Sequence, residues 1–167
     1  MKREIYFADL ERDLWPDPRE LERYFKEPDV RELERNFREG GWPIVGGNDN
    51  WGLKIDGLDG TQDLPRQEDR VIVHLIMIGH PRHGVSFVYD RWDGRTKQAI
   101  QYTSKGDMRR IREIYRAVQD TPVFVGTFIP FADAYRAVKE FMETDGGLPK
   151  SIEWIPTDDL PWETLRT

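Results

Sequence analysis

The 167-residue chain contains no cysteine and only three histidines. The lack of cysteine excludes disulfides, thiolate nucleophiles and cysteine-ligated zinc. No stretch approaches the roughly 20 consecutive apolar residues of a transmembrane helix. The N-terminal sequence MKREIYFADLERD also lacks the apolar segment of a secretory signal. These absences predict a protein of a reducing cytoplasm that makes no membrane contact.

Basic side chains are in the minority, because 25 Lys and Arg stand against 31 Asp and Glu and give a net charge of −6. Binding to nucleic acid over a broad surface requires a basic face. Nucleic acid is therefore not an expected partner. The chain is nevertheless 38% hydrophobic and 12% aromatic, which suits one folded domain spanning residues 1–167.

The N-terminal part, residues 1–60, is charge-dense and is predicted to be a helical extension. Asp17, Pro18 and Glu20 have the spacing of a capping box with proline at the first helical position. Asp29 starts a second capping pattern, which predicts another helix. Within the single predicted domain, this extension is expected to precede the core.

The middle of the chain has the sequence pattern of β-strands separated by turns. Residues 71–78, VIVHLIMI, form the most apolar run and predict a buried central strand. Asp93 and Gly94 provide the hairpin signal between two further strands. The predicted strands lie at residues 51–55, 71–78, 85–89, 97–103 and 151–155.

The last third is predicted to be mainly helical. Asp107 is expected to cap a helix that runs to Val118, and Pro130 is expected to begin another. The apolar stripe of the second helix consists of Phe131, Ala134, Tyr135, Val138, Phe141 and Met142. Helices before and after a block of strands predict an α+β fold with an antiparallel or mixed sheet of about five strands.

Two patterns leave other functions open. His74, His80 and His83, with nearby carboxylates, are the candidate residues of a small metal-dependent or acid–base enzyme, although no clear fourth ligand accompanies them. The predicted helix containing Arg109–Arg116 is basic on its polar side and allows a nucleic-acid-binding adaptor. Alternatively, its arginines pair with the acidic terminal segments.

Residues 128–154, FIPFADAYRAVKEFMETDGGLPKSIEW, combine an Ile-Pro start, an alanine-rich helix, a glycine turn and a tryptophan-containing strand. Together with YTSKGD at 102–107 and HLIMIGHPRHGVSFVYDRW at 74–92, this segment resembles the first of the immunity protein families of bacterial polymorphic toxin systems. The resemblance covers residues 70–156. It implies binding of a cognate secreted toxin domain, often a deaminase or nuclease, and occlusion without catalytic residues.

We therefore predict an immunity protein, monomeric or homodimeric, that has no enzymatic activity and needs no cofactor or metal. Residues 40–94 carry five basic and eight acidic side chains, and an acidic, aromatic surface attracts a basic protein partner. The residues predicted to bind the toxin are Asp90, Trp92, Asp93, Asp56, Asp59 and Asp63.

Overall fold

The computed structural model describes residues 1–6, 14–25, 50–80, 82–117 and 120–166. Within these ranges the chain forms two α-helices and nine β-strands. The helices are α1 (Pro18–Leu21) and α2 (Phe131–Glu143). The strands are β1 (Lys2–Tyr6), β2 (Asn50–Leu58), β3 (Val71–His80), β4 (Gly84–Asp93), β5 (Gln98–Ser104), β6 (Ile114–Arg116), β7 (Pro122–Phe124), β8 (Phe128–Ile129) and β9 (Trp154–Pro156).

Among the described strands, seven form one antiparallel sheet in the order β1-β2-β3-β4-β5-β9, with β8 paired to the start of β4. A separate hairpin joins β6 to β7. Gly84 makes the β4–β8 contact possible, since a Cβ there would lie 1.9 Å from the carbonyl oxygen of Ile129. The predicted α+β class is confirmed, and the sheet is larger than the five strands expected.

The strand β3 shows how the sheet divides the molecule. Its odd-numbered residues, from Val71 to Met77, are fully buried, whereas its even-numbered residues are half-buried. Successive side chains of a strand point to opposite faces, so β3 has one covered face and one partly covered face. We call the covered face the closed face and the other the open face. The central strand predicted at 71–78 is confirmed and extends to His80.

The helix α2 covers the closed face with the apolar stripe that its sequence predicts. Phe131, Ala134, Val138, Phe141 and Met142 are all buried in the core, whereas Tyr135, also predicted in the stripe, is half-buried at its margin. The Phe141 ring lies 5.6 Å from that of Trp15 and packs edge-on against Tyr89. Full burial of such a side chain contributes roughly 1.5–3 kcal/mol. No helix among the described residues is long and apolar enough to cross a bilayer.

The N-terminal part differs from the predicted helical extension. Its capping box is confirmed: the Asp17 side chain accepts from the backbone of Arg19, and the Glu20 carboxylate accepts from the backbone of Asp17. However, β1 is a strand, because pairing with β2 places Ile5 in the core and Glu4 on the open face. The helix predicted from Asp29 lies outside the described residues.

The helix predicted from Asp107 to Val118 is wrong for the described part. Asp107 caps only one 3₁₀ turn, at Met108–Arg110, and the chain then becomes β6. The backbone of this segment pairs with β7, and the Val125 N–H extends the pairing by donating to the Glu113 carbonyl, 2.8 Å away. These groups are therefore not available for helical hydrogen bonds. Val118 itself lies outside the described residues.

Candidate functional site

A row of polar side chains crosses the open face. Strand register places Glu4, Lys54, His74, Asp90 and Gln101 side by side on β1 to β5. We call these five residues the polar row. Cross-strand neighbours on one face are about 5 Å apart, so the row is continuous from one side of the sheet to the other.

Charge within the polar row is unevenly balanced. Lys2 and Lys54 both pair with Glu4, at 2.7 and 3.4 Å, and hydrogen bonding from Lys2 is the main cause of the lowered pKa of Glu4. Burial lowers the pKa of His74 from 6.5, and the Lys54 charge lowers it further. The folded structure therefore favours the neutral form of the His74 imidazole. Asp90 is half-buried beside it and forms no ion pair with a described lysine or arginine.

On one side of the polar row, the loop at residues 59–70 packs against the open face. Asp56 is only 6% exposed and accepts hydrogen bonds from Gln67, at 3.1 Å, and from Arg70. The Trp92 indole N–H donates to the Glu68 carbonyl, 2.9 Å away. These contacts attach the loop to the ends of β2 and β4.

The other predicted acidic residues lie around this loop and differ in their pairing. Arg91 and Arg95 both reach Asp59, at 2.9 and 3.4 Å. Arg95 also pairs with Asp93 and holds its pKa at about 2. Asp63 is exposed and has no partner among the described residues. The structure therefore gathers the predicted residues at one end of the sheet, with most of their charge balanced locally, and their role in binding stays a prediction.

On the other side of the polar row, the open face contains a groove of about 210 Å³. It lies between the sheet, the β6–β7 hairpin and the C-terminal segment. Most of its lining is apolar. The apolar side chains that line it include Ile76, Ile78, Val88, Pro122, Val123, Phe124, Leu160 and Trp162.

Hydroxyl groups in the groove are paired with one another. The Ser86 and Thr127 hydroxyls are 2.7 Å apart, and those of Thr103 and Thr157 are 2.9 Å apart. The Trp162 indole N–H donates to the Thr157 carbonyl at 2.8 Å. Because these polar groups have partners within the chain, the groove offers a partner mainly apolar contact.

Sequence reasoning missed this groove. Trp162 is 41% exposed and packs edge-on against Phe124 at 5.3 Å, and it lies in a C-terminal segment to which the sequence analysis assigned no site. A usable signal was the apolar character of both faces of β3, since Ile76 and Ile78 point away from the core. Such residues on an open face indicate a second packing or binding surface.

The three histidines do not converge. His74 lies in the polar row, whereas the His80 and His83 rings stack at 4.2 Å beside Tyr115. The Nδ1 atom of His80 accepts from the backbone N–H groups of Arg82 and His83, which closes the β3–β4 turn. The described residues contain no group of three or more side chains arranged to hold a metal ion.

The arginines predicted to lie along one helix do not share a helical face. They lie in a 3₁₀ turn, in the turn that follows it and in the strand β6. Each of them is paired with a carboxylate. The pairs are Arg109–Asp107, Arg110–Glu113, Arg112–Glu163 and Arg116–Asp120. The arginines are therefore paired within the chain, but only Arg112 pairs with a terminal segment as predicted, whereas the other three pair with carboxylates close to them in sequence.

A sheet with one face in the core and the other bearing a groove and a polar row fits a protein that binds another macromolecule. The family model described as Immunity protein Imm1 matches residues 58–156, more than half of the chain. The chain therefore belongs to the Imm1 family of immunity proteins, and the resemblance predicted for residues 70–156 is confirmed. No curated protein and no solved structure matches the chain.

Proposed function

We propose that this protein neutralises a cognate bacterial toxin domain by binding it through the open face and covering its active site. Membership of the Imm1 family supports a role in toxin immunity. The observation that carries the choice of surface is the apolar groove beside the polar row, on the side of the sheet away from α2. On this proposal the protein acts in the cytoplasm and performs no turnover.

The predicted toxin-binding residues have different roles in this proposal. Asp90 and Trp92 lie on the open face and contact the toxin directly. Asp56, Asp59 and Asp93 are paired with arginines, so they shape the loop that borders this surface. Asp63 is an exposed charge of the same loop with no partner among the described residues, and on this proposal it attracts a basic partner.

We further propose that the toxin acts on nucleic acid, as a deaminase or nuclease. Such enzymes bind a polyanionic substrate in a basic groove. The net charge of −6 favours the approach of this protein to such a groove. The Asp90 carboxylate, which forms no ion pair with any lysine or arginine that the structure describes, lies beside apolar surface and supplies charge and contact area in one place.

The test is binding and protection with the toxin domain encoded beside this gene. Wild-type protein is expected to protect cells on co-expression and to form a tight complex. Asp90→Arg should slow association by about 3- to 10-fold at low salt, since steering depends on surface charge. Asp90→Asn should give a smaller effect in the same direction.

A matched control changes the same charge on the opposite side. Glu143 lies at the end of α2 and is exposed, so Glu143→Arg alters the net charge equally without touching the open face. Equal slowing by the Asp90 and Glu143 variants would contradict the proposed surface. Failure of the wild-type protein to bind or protect would contradict the proposed function.

A further inference from the structure

The edge of the sheet at β5 is only half covered. The strand β9 pairs with Tyr102–Ser104 and leaves Gln98–Gln101 without a neighbouring strand among the described residues. All four of these residues are exposed, and Ile100 is 47% exposed. We call Gln98–Gln101 the bare edge.

The hydrogen bonding of β9 shows which backbone groups of the bare edge point outwards. The Lys105 N–H donates to the Glu153 carbonyl at 3.0 Å, so Lys105 directs its backbone groups towards β9. Alternate residues of a strand direct these groups to the same side, and the β4–β5 register is regular throughout. The N–H and C=O groups of Ala99 and Gln101 therefore point away from β4, and no described residue pairs with them.

The opposite edge of the sheet, at β1, is protected in a way that the bare edge is not. At β1 the Trp15 indole N–H donates to the Glu4 carbonyl, 3.0 Å away, and the strand carries charged side chains. Proteins commonly protect edges with charges or covering segments. The bare edge has no charged side chain, and Pro156 ends β9 with a residue that cannot donate to a ladder.

We propose that an extended segment of the toxin adds to the sheet by pairing with the bare edge. This inference rests on the proposed function. It adds that part of the contact with the toxin is main-chain pairing at the bare edge. Addition of a strand satisfies outward-facing N–H and C=O groups through main-chain hydrogen bonds, and side chains on alternate residues provide specificity. The bare edge borders the open face, because Gln101 is the last member of the polar row.

Charge indicates the chemistry of the added segment. Asp90 is one strand inside Gln101, about 10 Å from the backbone of an added strand. A lysine or arginine on that strand, placed beside Gln101 and directed to the open face, reaches the free carboxylate. The expected occupant is therefore an extended toxin segment with a basic side chain at this position.

Geometry argues against a second copy of this chain as the occupant. In a symmetric antiparallel pair centred on Ile100, residues beyond Gln101 in each copy already pair with β9. The shared ladder of such a pair is limited to Ala99–Gln101, whereas a toxin segment brings no second β9 to this edge and can pair along all of Gln98–Gln101.

Amide hydrogen exchange, measured by NMR on the free protein and on its complex with the neighbouring toxin domain, tests the proposal. In the free protein, the Ala99 and Gln101 amides should exchange rapidly and the Ile100 amide, which faces β4, slowly. In the complex, exchange at Ala99 and Gln101 should slow by about 100-fold or more. Unchanged exchange at both amides in a formed complex would overturn strand addition and leave the proposed function standing.

A pair of variants provides a second measurement. Gln101→Pro removes the outward N–H, and an edge strand tolerates proline at such a position. Gln101→Thr keeps the N–H and changes only the side chain. Gln101→Pro should weaken toxin binding about tenfold more than Gln101→Thr does, because both variants lose the glutamine side chain but only the proline variant loses the outward main-chain hydrogen bond. Equal weakening by the two variants would overturn the proposal.

The remaining outcomes are also decisive. A wild-type protein that does not bind the toxin overturns both the inference and the proposed function. Protection of Ala99 and Gln101 that rises with concentration of the free protein identifies a second copy as the occupant and overturns the toxin segment.

Discussion

The two faces of the sheet differ in how completely the chain itself covers them. On the closed face Val73 and Leu75 are fully buried beneath α2, whereas His74 and Ile76, their neighbours on β3, remain half-buried on the open face. A face that the chain covers contributes stability, and a face that it leaves open is available to a partner. Stability and recognition are thus expected to respond to different substitutions.

The largest expected effect is on the closed face. Phe141→Ala should lower the free energy of unfolding by about 3–5 kcal/mol, because it leaves a cavity between α2 and the sheet. Val88→Ala on the open face is the control and should cost about 1.5 kcal/mol or less. Urea denaturation measures both, and equal losses would contradict the difference between the faces.

The next effect is on the open face. Trp162→Ala should weaken toxin binding by about 2 kcal/mol or more, roughly 30-fold, as is typical of a tryptophan at the centre of an interface. Met108→Ala is a control of equal exposure, 41%, that does not line the groove. Titration calorimetry measures the affinities, and similar losses in the two variants would argue against the groove as a contact.

A smaller effect separates structural carboxylates from free ones. Asp56→Asn should lower the free energy of unfolding by about 1–3 kcal/mol, because Arg70 and Gln67 lose a buried charged acceptor. Asp63→Asn, at an exposed and unpaired position, should change it by less than about 0.5 kcal/mol. Denaturation of both variants at pH 7 tests this, and a neutral Asp56→Asn would show that the loop is held by other contacts.

The smallest effect is the pH dependence of stability. Burial lowers the pKa of His74 in the folded protein, so the unfolded chain binds more protons as the pH falls through 6.5. Stability should therefore decrease on acidification from pH 7 to about pH 5. His74→Gln should reduce this slope more than His83→Gln, because His83 is less buried although its pKa is lowered in the same direction. Identical slopes in wild-type and His74→Gln protein would refute the argument.

Local pattern was enough to predict some elements and not others. The stripe of α2 and the capping box at Asp17 depend on neighbours within a few residues, and both are present as expected. The segment after Asp107 has an equally helical pattern, but pairing with β7 makes part of it a strand. Tertiary contacts override local propensity where the alternative pairing satisfies the same backbone groups.

The candidate site was less predictable than the fold. Counting charges along the chain predicted an acidic surface around Asp59 and Asp93, but folding brings Arg91 and Arg95 against them. The groove forms only where β3, β4, the β6–β7 hairpin and the C-terminal segment come together in the fold. No local sequence pattern predicts contacts between such distant segments.

Composition and periodicity were sufficient for the α+β class and the central strand, because these follow from which side chains avoid water and in what order. The family followed from the resemblance of residues 70–156. The lowered pKa of His74, the pairing of the arginines with carboxylates, the groove and the bare edge depended on folding. Each arises from contacts between distant segments, and the energy of a charge or an unpaired backbone group depends on what surrounds it in space.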